Sequence, residues 1–240
     1  IDGTRSRDDL VEAFFTDLRW LGLAWDGDPV FQSQRIAEYT AAAERLIAMG
    51  LLYPCTCTRK QVAEAAQRHG PDGPLYPGTC RGKTAQLGDD VAWRLDMAKA
   101  IALAGPLDWT DAWAGRQVAQ PELFGDVVLL RRDAPASYHL AATLDDAADG
   151  ITVVTRGADL FAASHIHRLL QALLQLPVPL WHHHGLLIEA DGRKLAKRRG
   201  SSSLADLRQS GQDGPALAAA LRAGIMPAGI SLITGIGSAP

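Results

Sequence analysis

Residues 151–160 read Ile-Thr-Val-Val-Thr-Arg-Gly-Ala-Asp-Leu. Ile151, Val153 and Val154 are β-rich and apolar, the pattern of a buried strand in a parallel sheet. The run stops at Arg156-Gly157, and a helical pattern begins near Ser164. Strand, turn and helix in that order predict an α/β fold. In open α/β sheets ligands sit beyond the carboxyl ends of the strands, where such turns lie. Arg156 and Asp159 are therefore expected at a crevice, as a fixed cation and an acid. The plainer reading is that they pair with each other or cap the helix.

Composition narrows the class. The chain has 240 residues, 47% hydrophobic and 21% charged, which suits one large or two small globular domains. No apolar run approaches the roughly 20 residues of a membrane helix, and Ile1 opening onto Asp2, Arg5 and Arg7 reads as no secretory signal. The net charge of −3 excludes a globally basic nucleic-acid binder, so any RNA contact needs a local patch. Cys55, Cys57 and Cys80 are the three cysteines. An odd, tightly grouped set points to metal in a reducing, cytoplasmic compartment rather than to disulfides.

Upstream of residue 50 two helices are expected. Ser6 and Asp9 resemble a capping box ahead of Leu10, Phe14, Leu18 and Leu21. Ser33 can cap a helix carrying Ile36, Tyr39, Ala43, Leu46 and Ile47, closed by Gly50. A polar helix follows from Lys60 to Arg68, then a Gly/Pro-rich loop. Strands are expected at Val91–Leu95, Asp126–Arg131 and Leu186–Glu189. Residues 104–120 read as turns with two tryptophans. Leu169, Leu170, Leu173 and Leu174 mark a helix face, and short helices are expected at 204–209 and 214–223. The tail from Ile225 has no functional reading.

Three soft thiolates leave a tetrahedral metal one ligand short. His69 is the obvious chemical candidate and Tyr76 a less usual one. The competing reading is three free, buried thiols. Arg193, Lys194, Lys197, Arg198 and Arg199 fill a Gly-flanked loop, where cations can neutralise charge in phosphoryl or nucleotidyl transfer, or simply be solvated. Ser137–Asp145 reads as a segment leading into a helix; Tyr138, which follows an extended segment, could lie on the strand beside that of Arg156 and complete a carboxylate pocket of phenol and guanidinium, or else be a core residue. His182, His183 and His184 cannot share one face and read as surface or helix-end residues; His165 and His167 fall on different faces of a helix. Spacing supports no Ser-His-Asp constellation, and no P-loop or G-x-G-x-x-G is present.

The succession IDGTR, LAWDGDPVFQSQR, YPCTCTR, LYPGTCRG, SYHLA, ITVVTRGADL and GRKLAKR resembles the class I glutamyl-type synthetases, most closely the glutamyl-Q tRNA(Asp) synthetases, over about residues 1–205. The resemblance implies a Rossmann-like class I aminoacyl-tRNA synthetase catalytic domain with a small zinc-binding insertion. Its parts would be a first Rossmann half (1–50), a connective insertion (51–120) with the zinc lobe at 55–80, a second half with a KMSKS-like loop (121–203), and C-terminal helices and tail (204–240). It implies ATP-dependent activation of L-glutamate and transfer to the queuosine base of tRNA(Asp), with contact to the anticodon stem-loop, magnesium, and a monomer. Zinc would be held by Cys55, Cys57, Tyr76 and Cys80, and glutamate by Tyr138 and Arg156. Lys194 and Lys197 would be catalytic, with Lys197 touching ATP. Ala196 stands where the family usually has Ser, and His167 where relatives often carry Gln. The family's HIGH-type motif, first βα unit and glutamate-binding acid would precede Ile1, so residues 1–240 are expected to be an inactive fragment. The rival expectations are the catalytic part of an ordinary glutamyl-tRNA synthetase charging tRNA(Glu), and a non-catalytic paralogue binding glutamate, ATP or RNA.

Overall fold

The computed structural model describes residues 8–195 and 201–233. In chain order the elements are α1 (Asp8–Trp20), α2 (Ile36–Ala48), β1 (Leu52–Cys55), α3 (Arg59–Ala65), β2 (His69–Gly70), β3 (Gly73–Pro74), β4 (Ala92–Leu95), α4 (Met97–Ala104), β5 (Asp108–Asp111), β6 (Gly115–Val118), β7 (Val128–Leu130), α5 (Tyr138–Ala148), β8 (Val153–Gly157), α6 (Ala163–Leu174), β9 (Leu180–His184), β10 (Leu186–Glu189), α7 (Leu204–Gln209), α8 (Gly214–Arg222) and β11 (Ile230–Ile233). Among the described residues they form two compact units: Val30–His183, and 8–29 with 184–195 and 201–233.

In the first unit α2 buries Tyr39, Ala42, Ala43 and Leu46, a stripe at i, i+3, i+4 and i+7. Gly50 ends it at φ 70°, a conformation open to glycine, with Leu51 N–H reaching back to the Leu46 carbonyl at 3.0 Å. The helix is preceded by a short 3₁₀ turn, Gln32–Arg35, so Ser33 lies inside that turn instead of capping α2. Ser137 does cap α5, accepting from Leu140 N–H. Helix α6 is buried on nearly every side, from Ala163 to Leu174. With Leu95, Leu129 and Leu140 its leucines form the main core.

Two sheets flank this core. β1, β4 and β7 make an antiparallel sheet with Leu52 opposite Leu95 and Trp93 opposite Leu130. The second runs β6-β5-β9-β8. Its β5/β6 hairpin, antiparallel from Asp108–Val118 to Asp111–Gly115, occupies the region the sequence suggested as turns. β5 and β9 pair in parallel at Asp111 and Trp181. β8 is an edge strand of this mixed sheet, with one neighbour. That corrects the expectation of a fully buried strand: Val154 is buried, but Ile151 is 39% and Val153 51% exposed. The polar helix expected over 60–68 is shorter, Arg59–Ala65, opened by a reciprocal capping box of Thr58 and Gln61.

Asp126 ties these parts together. Its buried carboxylate accepts from the Tyr53 hydroxyl, from Arg81 Nε at 2.7 Å and from Met97 N–H at 3.1 Å. Burial is the first cause, and the Asp126 hydrogen bond the second, that pushes the Tyr53 phenol well up, so it stays a donor. Asp126→Asn should cost about 2 kcal/mol, because an amide swaps one acceptor for a donor facing donors. Urea unfolding measures it; a midpoint equal to the parent's would refute the role.

In the second unit Phe15 stacks on Trp25 with ring centroids 5.2 Å apart, and Arg208 Nε meets Asp17 at 3.1 Å. Ser203 and Asp206 form a capping box at the start of α7. At Gly214 a Cβ would lie 2.0 Å from the Trp20 carbonyl oxygen, so only glycine lets α8 approach α1 there. The tail supplies β11, antiparallel to β10 with Leu186 opposite Ile233. Ser6 of the expected capping pair lies outside the described residues.

Candidate functional site

Arg156, in β8, is the centre of a polar chain inside the first unit. Its side chain is 10% exposed, and Nη2 meets Asp146 Oδ2 at 2.6 Å. Nη1 lies 2.6 Å from His167 Nδ1. A guanidinium only donates, so Nδ1 accepts and the His167 proton sits on Nε2. That nitrogen is 3.3 Å from His139 Nδ1, which must then accept. His139 Nε2 faces Asp72 Oδ2 at 3.7 Å, on the turn between β2 and β3. One chain therefore runs Asp146–Arg156–His167–His139–Asp72. Burial pushes the Asp146 carboxyl up, and the Arg156 charge and hydrogen bond oppose it.

Tyr138 is the first residue of α5, not a strand residue. Ser137 stops the extended segment by capping the helix, which is why the strand expectation fails. The ring still reaches Arg156, whose guanidinium carbon lies 5.7 Å from its centroid. The phenol is 46% exposed for the residue as a whole, and burial is the main cause that raises its pKa. The structure thus brings Tyr138 and Arg156 together by ring face and guanidinium. His139 and Asp146 were missed in the sequence, though their i, i+7 spacing places them on one face of α5 with the same partner chain.

His167 is fully buried and its pKa lies well below 6.5, first through burial and then through the His139 and Arg156 charges. Between that lowered value and about 6.5 the unfolded chain binds the extra proton. This contribution to stability is present above about pH 6.5 and is lost as pH falls through and below it. His167→Gln keeps an acceptor for Arg156 but cannot titrate. The drop in Tm from about pH 7 to about pH 5 should shrink in this variant, and an equal drop would refute the assignment.

Of the three consecutive histidines, the exposed His184 fits the surface reading and the buried His183 corrects it. All of His182, His183 and His184 lie in strand β9, and His183 is fully buried. His183 Nδ1 is 2.8 Å from Asp111 Oδ2, and its Nε2 is 3.3 Å from Ser164 Oγ. A Ser-His-Asp chain therefore forms in space that spacing gave no hint of. It joins β5, β9 and α6, and at 0–1% exposure for all three residues no substrate reaches it. Burial works to raise the Asp111 carboxyl, but N–H groups of Ala114, Trp113 and His183 and the His183 ring outweigh it and hold it low. His165 is buried as well: its Nδ1 accepts from Trp109 Nε1 at 3.1 Å and from Gln120 N–H at 3.2 Å.

The three cysteines converge. The Sγ atoms of Cys55, Cys57 and Cys80 lie within 4.8 Å of one another, with Cys57 and Cys80 at 3.6 Å. The Tyr76 hydroxyl is 3.4 Å from Cys55 Sγ and 3.5 Å from Cys57 Sγ, and it accepts from Cys80 N–H at 2.9 Å. β1 delivers Cys55, and the turn after Tyr76 delivers Cys80. His69, the competing candidate, is an exposed residue of β2 and does not join the cluster. Burial acts to raise the Cys80 thiol, but hydrogen bonds from the Tyr76 hydroxyl, the Thr56 backbone and the Cys57 and Lys83 side chains bring it to about 6. Arg94 lies over the Tyr76 ring, 3.9 Å from the centroid. Such a set of soft donors with little solvent can hold a metal ion.

Lys194 sits in the second unit and bridges to Ile188. Lys197, Ala196, Arg198 and Arg199 lie outside the described residues.

Residues 1–234 match the family model of class I tRNA synthetases (E and Q), catalytic domain. The chain belongs to that family. Within it, the protein is 44% identical over 225 residues to the glutamyl-Q tRNA(Asp) synthetase of Rhodobacter capsulatus, covering 88% of this chain and 81% of that one. The Leptothrix cholodnii glutamyl-Q tRNA(Asp) synthetase is 39% identical, covering 98% of this chain and 78% of that one. Among solved structures, the glutamate tRNA ligase of Elizabethkingia meningosepticum superposes with TM-score 0.62 at 21% identity, covering 88% of this chain and 45% of that one. The glutamate-tRNA synthetase of Elizabethkingia anophelis gives 0.63, with 46% of that chain covered. The chain thus spans a little under half the length of these two structures, whose likeness establishes the class I synthetase catalytic fold with its α/β content. No helix among the described residues is long and apolar enough to cross a membrane.

Proposed function

We propose that this protein activates L-glutamate with ATP and transfers it to the queuosine base of tRNA(Asp), in the cytoplasm. The observation that carries the reading is the Tyr138–Arg156 pair in a chain 44% identical to a glutamyl-Q tRNA(Asp) synthetase. Arg156 offers a largely enclosed guanidinium whose remaining N–H groups can fork onto a carboxylate, and Tyr138 adds a directional hydroxyl. Asp146 and His167 hold the guanidinium in place, so its orientation is set before substrate arrives.

In the reaction an oxygen of the glutamate α-carboxylate attacks the α-phosphorus of ATP. The bond from that phosphorus to the bridging oxygen breaks, and pyrophosphate leaves with the electron pair. A nucleophile on the RNA base then attacks the acyl carbonyl, and AMP leaves. Lys194 and Lys197 would supply positive charge to the phosphates, and magnesium would accompany ATP. Positioning and charge carry both steps, and no side chain need form a covalent intermediate.

We assign zinc to Cys55, Cys57, Cys80 and Tyr76, as a structural ion. A tetrahedral zinc with bonds of about 2.3 Å to sulfur and about 2.0 Å to oxygen has S–S edges of about 3.8 Å and S–O edges of about 3.5 Å. The observed 3.6 Å between Cys57 and Cys80 and 3.4 and 3.5 Å to the Tyr76 hydroxyl are close to these edges. Bound there, zinc would cross-link the lobe and take no part in the acyl transfer.

The test, on protein extended upstream of Ile1 to the length of its relatives, is transfer of labelled glutamate, with ATP, to tRNA(Asp) prepared with and without queuosine. Labelling confined to the queuosine form is expected. Labelling of tRNA(Glu) instead would assign the ordinary synthetase activity, and labelling of neither would leave a non-catalytic paralogue.

A further inference from the structure

The residues Arg59, Arg94, Arg131 and Arg132 line one cavity of about 630 Å³ beside the cysteine cluster. Two carboxylates, Asp72 and Asp133, share its wall, so the lining carries a net charge of +2, from four cations less two acids. Asp133 is already held by Arg131 in a two-pronged pair at 2.9 and 2.7 Å. Arg132 donates to the Thr56 carbonyl and reaches only the exposed Asp90, at 3.4 Å. Among the described residues no ion pair engages Arg59 or Arg94. Arg94 spends its guanidinium on the Asp126 carbonyl and the Tyr76 ring, and its buried Nε has no hydrogen-bond partner.

Four guanidinium groups against two carboxylates leave this concavity cationic, a balance that a bound anion would restore. Arginine in particular matches the paired oxygens of a phosphate. Val62, Ala63, Ala92 and Val128 supply apolar wall between the arginines, a surface that suits the ribose or base on either side of a backbone phosphate. The volume exceeds what a lone phosphate fills. With a net charge of −3 the chain has no general attraction for RNA, so a local cationic pocket is what binding requires.

We propose that this arginine-lined cavity binds a backbone phosphate of the RNA substrate, separately from the glutamate-binding pair. The assignment rests on the RNA-directed reading above. The test uses fluorescently labelled tRNA(Asp) and the chain with Arg59→Ala and Arg132→Ala combined, both partly exposed side chains outside the reactive centre. The double variant should raise Kd at least ~10-fold and flatten the dependence of log Kd on log salt by about one to two units, the loss of one or two phosphate contacts. Asp133→Asn, which removes one of the two carboxylates of the lining, should tighten binding. Unchanged Kd and salt slope in the double variant would overturn the proposal. So would a rise in Tm with inorganic phosphate that the double variant loses while its tRNA affinity stays intact, because the site would then take free phosphate. ATP–pyrophosphate exchange and tRNA binding on protein extended upstream of Ile1 to the length of its relatives separate the two readings: a parent that exchanges with glutamate but does not bind tRNA overturns the pocket alone, and one that does neither overturns the functional reading as well.

Discussion

Arg156→Ala should lower glutamate-dependent ATP–pyrophosphate exchange at least ~10²-fold, with the loss concentrated in the KM for glutamate. The reasoning starts from burial. The Arg156 side chain is 10% exposed and already fixed by Asp146 and His167. A carboxylate docking there gives up water and recovers a forked, charge-assisted pair. Truncating one partner of such a pair costs about 2–5 kcal/mol, roughly 30-fold to 5,000-fold, and the near-complete burial of Arg156 sets the loss above the lower end of that range. Arg156→Lys keeps the charge and loses the fork, so an intermediate loss of about tenfold is expected. The alanine variant also strips Asp146 of its partner, and burial already pushes that carboxyl up. Asp146→Asn in the same background relieves this and should restore Tm without restoring glutamate affinity. If KM for glutamate is unchanged in Arg156→Ala, the residue does not bind the substrate. If KM for glutamate and for ATP rise together and Tm falls, the effect is lost structure.

The sequence carried the parts of this arrangement that depend on local order. The helix stripe of Tyr39, Ala43 and Leu46 is legible because the α-helical period brings those residues to one face, and all three are buried. The cysteine grouping was legible because soft ligands so close in sequence have few other uses. What failed was anything decided at longer range. An apolar run at 151–154 looks the same in a central strand and at a sheet edge; which it becomes depends on whether another strand is added beyond it. His183 reads as a surface residue within a triple of histidines, yet Asp111, 72 positions earlier, lies beside it and claims it. No local pattern encodes that pairing. The choice between His69 and Tyr76 was likewise open on chemistry alone. It turns on the β2–β3 hairpin, which leaves His69 exposed while the loop after it folds the Tyr76 hydroxyl in among the thiols.

Removing zinc should unfold the lobe between residues 56 and 82 and leave the β1-β4-β7 sheet standing. The lobe has little else to hold it. Its own buried side chains in the local cluster are Tyr76 and Cys80, with Cys57 and Val62 partly buried, packed on Tyr53 and Cys55 of β1. Fully burying a large apolar side chain contributes about 1.5–3 kcal/mol, while ordering a single residue's backbone costs about 1–2 kcal/mol. So few buried side chains cannot offset some twenty-five ordered residues without a cross-link. Structural zinc supplies such a cross-link, contributing about 10–16 kcal/mol in zinc-finger peptides. The protein as purified should hold near-stoichiometric zinc. A chelator should strip it, and amide exchange should then accelerate across 56–82 while Ala92–Leu95 and Val128–Leu130 keep their protection through pairing with each other. Cys80→Ser should abolish tight binding. Tyr76→Phe should weaken it by less, since water can take the fourth position, and His69→Ala should leave it unchanged. Weakening by His69→Ala but not by Tyr76→Phe would move the fourth ligand to His69. Metal-free protein with full protection over 56–82 would mean the three thiols are ordinary buried cysteines, and the lobe would need a source of stability that its small core does not provide.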